Sequence, residues 1–100
     1  MAWLQGFRDR TVLVTGASSG IGRAVALAFA AAGARVALVA RRREQLEEVA
    51  RLADGETVVL PTDVTQREAV RAGFASAHER FGRIDVVVNN AGVLLPAPVA

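Results

Sequence analysis

The residues best suited to chemistry form one short run, Thr15-Gly16-Ala17-Ser18-Ser19-Gly20-Ile21-Gly22. Its glycines stand between an apolar run and a helical pattern, so bare backbone N–H groups and the positive end of a helix dipole converge on one spot. That spot favours an anion such as a phosphate. Gly16 permits a sharp turn, Gly20 lets a pyrophosphate approach the backbone, and Gly22 lets the helix pack close to the sheet. The Gly-x-x-x-Gly-x-Gly spacing differs from the general G-x-G-x-x-G fingerprint. A Walker-type loop is excluded, because it needs a lysine and the chain has none. Taken alone, such a loop also serves as a tight connection with no ligand.

A strand must precede this loop and a helix must follow it. Thr11 to Thr15 is a β-branched run that predicts a strand buried on both faces. From Ile21 the apolar residues Val25, Ala28, Phe29 and Ala32 recur at helical spacing, with a left-handed stop at Gly33. The apolar stretch Ala24 to Ala34 predicts a buried helix; it is too short for a bilayer, which takes about 20 residues. Arg35 to Ala40 predicts a second strand. Glu44 to Ala53 predicts a second helix, with Leu46, Val49, Ala50 and Ala53 on one stripe and Gly55 closing it. Thr57 to Leu60 is a third strand, and Thr65 with Glu68 has the spacing of a capping box for a third helix. That helix has the stripe Val70, Phe74, Ala77, Phe81 and stops at Gly82. Ile84 to Val88 predicts a fourth strand that runs into Asn89-Asn90-Ala91-Gly92. Strict alternation with short connections implies right-handed βαβ units and a parallel sheet in the order 3-2-1-4.

With 100 residues, 52% of them hydrophobic and 22% charged, the chain has room for one globular core. It has no cysteine, which removes disulfides, thiolate metal sites and thiol nucleophiles together and suits a cytoplasmic setting. No signal-peptide pattern stands at the start. All twelve basic residues are arginines, and the net charge is only +2. They are scattered from Arg8 to Arg83 with acids between them, whereas a nucleic-acid binder would gather them on one face. The expectation is therefore no nucleic acid, no membrane and no metal.

Thr15 to Gly22, then Asp63-Val64, then Asn89-Asn90-Ala91-Gly92, in this order and at these intervals, closely resemble the short-chain dehydrogenase/reductase family. The resemblance covers nearly the whole chain. It implies an α/β fold with a Rossmann-type doubly wound parallel sheet. It also implies that Thr15, Gly16, Ser18, Ser19, Gly20, Ile21 and Gly22 bind the pyrophosphate and ribose of a nicotinamide dinucleotide. Asp63 would accept from the adenine amino group, and Val64 would contribute its backbone. Asn89, Asn90, Ala91 and Gly92 would steady the sheet and line the ribose, with Asn90 partly structural. Without the flanking motifs, Asp63 reads as an ordinary turn or helix-entry residue.

A dinucleotide-binding unit selective for NAD ends its second strand with an acid that bonds the ribose 2′-hydroxyl. Here that place is Ala40, and Arg41 follows. A planar guanidinium can meet a 2′-phosphate with paired charge-assisted bonds, so the expected cofactor is NADP(H). Such bonds are worth about 1.5–3 kcal/mol each, a preference of roughly tenfold to over a hundredfold. Arg42 either assists or is a solvated helix-entry residue, and Arg43 reads as solvated.

In the resembling family the chemistry is done by a Ser and a Tyr-x-x-x-Lys pair, usually with an asparagine, all beyond the Asn-Asn-Ala-Gly segment. The chain has no tyrosine and no lysine, so no catalytic residue is assigned and the chain alone is expected to be inactive. Ser18 and Ser19 belong to the loop. Ser76 and His78, two residues apart, fall on different helix faces. His78 reads as a surface residue and Trp3 as an N-terminal hydrophobic anchor.

Residues 1–100 are thus expected to be the NADP(H)-binding half of a single Rossmann-type domain that continues on the C-terminal side. The full-length protein would be a cytoplasmic, homo-oligomeric oxidoreductase passing hydride between nicotinamide and a small carbonyl or alcohol substrate. The alternative is a non-catalytic NADP(H)-binding or partner-supporting module. The fourth strand would carry an unpaired edge, which invites association.

Overall fold

The computed structural model describes residues 6–90. The elements follow in order as β1 (Thr11–Thr15), α1 (Gly20–Ala31), β2 (Arg35–Ala40), α2 (Arg43–Leu52), β3 (Thr57–Pro61), α3 (Arg67–Phe81) and β4 (Val86–Asn89). All strand pairs are parallel, and the sheet order is β3-β2-β1-β4. After β1 the chain steps outward through β2 and β3, then returns to the far side of β1 as β4. The direction of winding therefore changes at β1, and a crevice opens there at the carboxyl ends of the strands.

Alternation along the strands divides the core between the two faces of the sheet. Val12, Val14, Val36 and Leu38 pack with Ala26, Phe29 and Ala30 of α1 and with Leu46 and Val49 of α2. Leu13, Ala37 and Val39 point the other way and pack with Ala77 of α3, joined by the partly buried Phe74 and Phe81. Every residue of β1 is buried, as a strand covered on both faces requires. Phe7 meets Phe29 edge-on at 5.0 Å and ties the segment before β1 to α1.

The elements match the expected ones, with local differences that have identifiable causes. The capping box expected from Thr65 and Glu68 does not form. The N-cap of α3 is Gln66, without a side-chain cap bond, because the Thr65 hydroxyl instead donates to Asp63 at 2.6 Å. Strand β4 begins at Val86 rather than Ile84. Ahead of it, the Asp85 carboxylate accepts from the Thr11 N–H at 2.8 Å, and the Asp85 N–H donates to the Thr11 carbonyl at 2.9 Å. Helix α1 is covered on one face rather than all round. Helices α1 and α2 each start one residue early, and α2 ends at Leu52 with Ala53 as an extended cap. Gly55, at φ +97°, shapes the turn into β3 rather than closing α2. Trp3 lies outside the described residues.

Candidate functional site

The β1–α1 corner is built almost entirely of backbone. Gly16 and Gly20 adopt left-handed φ values of +64° and +56°, so the loop leaves β1, reverses and enters α1 without strain from a Cβ. Ser19, Gly20 and Ile21, where the loop enters α1, are exposed. Ser19 is the N-cap of α1 with no side-chain cap bond, and the first turn of α1 carries no acid. The helices α2 and α3 each place an acid in that turn, Glu44 and Glu68. The positive end of α1 therefore has no acid of its own first turn beside it, which suits an anion.

Side chains at the end of β4 hold the corner in place. The Asn90 N–H donates to the Thr15 hydroxyl oxygen at 3.0 Å, and that hydroxyl has Asn89 Oδ1 at 3.1 Å as its nearer acceptor. Asn90 Nδ2 reaches the Gly16 carbonyl at 3.5 Å, and the Ala17 N–H donates to the Val39 carbonyl at 3.2 Å. Gly22 sits against the residues that leave β1 and β4. A Cβ there would collide with the Gly16 carbonyl and come within 2.6 Å of Asn90 Nδ2. Its missing side chain lets the helix meet its own loop and Asn90 at the strand ends. At Gly20 a Cβ would meet nothing within 4 Å, so that position faces open space.

The ends of β2 and β3 form a second region, built of side chains. Ala40 and Pro61 are in register, and the Thr62 N–H donates to the Ala40 carbonyl at 2.7 Å. This places Arg41 beside Asp63. Thr65 donates to Asp63 Oδ1 from both its hydroxyl, at 2.6 Å, and its N–H, at 3.0 Å. Above all the Thr65 hydroxyl, then its amide, hold the Asp63 carboxyl below its ordinary range; the nearby positive charge of Arg41 adds to this, and partial desolvation opposes it. Arg41 is exposed.

The predicted residues fall into these two groups. Thr15, Gly16, Ser18, Ser19, Gly20, Ile21, Gly22, Asn89 and Asn90 share the corner, where Ile21 is 73% exposed. Arg41 and Asp63 sit together at the neighbouring strand ends. The Val64 side chain packs, partly buried, against the α3-side core. Ala91 and Gly92 lie outside the described residues. Thr65 is the addition that the sequence reading missed; Asp-x-Thr is the spacing of a turn in which an aspartate accepts from the residue two further on.

An open groove of about 430 Å³ runs from Ser18 and Arg23 to Glu44, Gln45 and Glu48 on α2. Beneath Asp63, between the sheet and α3, the gap lined by Leu13, Val39, Val70 and Phe74 is only about 10 Å³, room for a water at most. That gap is too small to admit a nucleotide. His78 and Ser76 are exposed on α3, away from either region. Among the described residues no helix is long and apolar enough to cross a membrane, and no group of three or more His, Cys, Asp or Glu is placed to hold a metal ion.

Residues 10–100 match the family model for short chain dehydrogenases, and the chain belongs to that family. An uncharacterized oxidoreductase of Listeria monocytogenes is 40% identical over 96 residues, which is 93% of this chain and 39% of that protein. L-sorbose reductase from Gluconobacter frateurii, solved with NADPH and L-sorbose, superposes with a TM-score of 0.83 at 39% identity, over 89% of this chain and 35% of that one. The 3-ketoacyl-(acyl-carrier-protein) reductase of Brucella melitensis, solved with NADH, superposes with a TM-score of 0.76 at 30% identity, over 81% of this chain and 33% of that one. The chain thus spans about two fifths or less of the length of these relatives. It is the strand-and-loop framework of an oxidoreductase family that uses nicotinamide cofactors.

Proposed function

We propose that this chain binds NADP(H) for an oxidoreductase that passes hydride between the nicotinamide and a small carbonyl or alcohol substrate. The pyrophosphate would lie at the N-terminus of α1, on the amides of Ser18 to Gly22, with the exposed Ile21 offering apolar contact beside it. The ribose would pass Asn89 and Asn90. Adenine would rest near Asp63 and the backbone of Val64, and the 2′-phosphate would face Arg41.

The observation that carries the phosphate preference is the end of β2. It presents no carboxylate to a ribose 2′-hydroxyl, and it places the exposed Arg41 on the same rim as the α1 N-terminus. A guanidinium there favours the extra phosphate by paired, charge-assisted bonds. The neighbours leave both cofactors in play, one solved with NADPH and the other with NADH. The test is a pair of calorimetric or fluorescence titrations on the full-length protein. NADPH should bind at least about tenfold more tightly than NADH. Equal affinities would reject the assignment.

The hydride chemistry belongs to the whole protein. Residues 1–100 supply the cofactor-binding half of one Rossmann-type domain, while a Ser and a Tyr-x-x-x-Lys further along the full-length chain would hold and protonate the substrate oxygen. We place this protein in the cytoplasm as a homo-oligomer. Coding sequence downstream of Ala100 that lacks the Tyr-x-x-x-Lys pair would favour the non-catalytic reading, a module that binds NADP(H) or supports a partner.

A further inference from the structure

The turn between β3 and α3 holds its aspartate more tightly than a simple connection requires. Thr62 is buried, its hydroxyl donating to the Leu60 carbonyl at 3.0 Å and its amide tied to β2. The Gln66 N–H donates to the Asp63 carbonyl at 3.0 Å and closes the turn on the other side. Within that frame both donors of Thr65 converge on a single carboxylate oxygen, Oδ1 of Asp63. Among the described residues nothing donates to Oδ2. Thr65 is itself exposed, so its side chain has little packing to do, and it does not cap α3.

We propose that Thr65 is a positioning residue for base recognition. By occupying Oδ1 with two hydrogen bonds, it locks the carboxylate and leaves Oδ2 as the acceptor presented to the exocyclic amino group of a 6-aminopurine. This rests on the reading of Asp63 as the adenine contact. A rigid acceptor discriminates by what it faces. An amino group donates to it, whereas the oxygen of a 6-oxopurine is a second acceptor and leaves the carboxylate unpaired. A carboxylate free to rotate could turn toward solvent or toward another donor, so the difference between the two bases would shrink.

The measurement is the ratio of affinities for NADPH and its hypoxanthine analogue, taken on the full-length wild-type protein and on Thr65→Val, Thr65→Ser and Asp63→Ala. Wild type should prefer the adenine cofactor by about tenfold or more, a ratio that Asp63→Ala abolishes. Thr65→Val should reduce the ratio to within about threefold, while Thr65→Ser, which keeps the hydroxyl, should retain it. A Thr65→Val protein that keeps the wild-type ratio overturns the inference, including the case in which both cofactors weaken equally because the turn has only been loosened. A Thr65→Ser protein that loses the ratio overturns it too. A wild type that binds the two cofactors equally, or an Asp63→Ala protein that still discriminates, overturns the Asp63 reading and this inference with it.

Discussion

The two regions at the carboxyl ends of the strands are built from different materials. At the β1–α1 corner the surface is main chain, shaped by glycines at φ +64° and +56° and pinned by Asn90. At the ends of β2 and β3 it is side chains, with Arg41 beside an Asp63 that Thr65 holds. Backbone amides recognise any diphosphate alike, because every residue type carries the same N–H. Side chains can distinguish ligands that differ by one phosphoryl or amino group. General affinity should therefore reside in the first region and selectivity in the second.

The largest expected effect breaks the corner. Gly22→Ala would drive a methyl group into the Gly16 carbonyl and Asn90. Overpacking of this kind costs typically 1–3 kcal/mol, and here one colliding atom is main chain that cannot rotate away. Thermal denaturation should show a marked loss of stability, and NADPH and NADH should lose affinity together. Loss of one cofactor alone would contradict the division.

Arg41→Ala tests the other region. NADPH affinity should fall roughly tenfold to over a hundredfold while NADH changes little, a loss confined to the 2′-phosphate. Parallel titrations that show equal losses would move Arg41 out of a selective role.

Gly20→Ala is a milder test of the corner. The space around the added methyl is open, so the cost is that of a left-handed alanine, about 1–2 kcal/mol. The cofactor should feel it evenly, and the ratio of NADPH to NADH affinity should stay at the wild-type value.

The smallest effect lies at the opposite end of the sheet. The Asp85 side chain is 16% exposed, pairs with Arg83 at 2.6 Å and accepts from Thr11. Its bonds with Arg83 chiefly, aided by the Thr11 amide and the charge of Arg10, hold the carboxyl below its ordinary range. A carboxyl depressed on folding adds stability above its unfolded value, about pH 4, and loses it as pH falls through the folded value. Asp85→Asn should cost on the order of 1 kcal/mol at pH 7, and the gap from wild type should close in acid. Cofactor preference should be untouched.

The fold was readable because strict alternation of apolar strands and striped helices with short connections leaves few topologies, and β3-β2-β1-β4 is the one that winds both ways from β1. The glycine loop was readable for a similar reason, since left-handed positions at Gly16 and Gly20 show directly as residue type. Short-range competition between side chains was less legible. Thr65 and Glu68 have capping-box spacing, yet Asp63, two residues before Thr65, takes the hydroxyl, and residue spacing does not rank two acceptors within reach of one donor.

Residue order alone therefore determined the alternation of elements, the anion-favouring corner and the guanidinium where an acid would mark NAD, since each depends on neighbours within one turn or strand. Tertiary structure decided contacts between residues far apart in the chain. Asn90 is bonded back to Thr15 and Gly16 across 74 to 75 positions, and its side chain adds to the Gly16 carbonyl in leaving no room for a Cβ at Gly22. Arg41 comes beside Asp63 only because β2 and β3 are in register. Such proximity is set by how the sheet closes, and no local pattern records it.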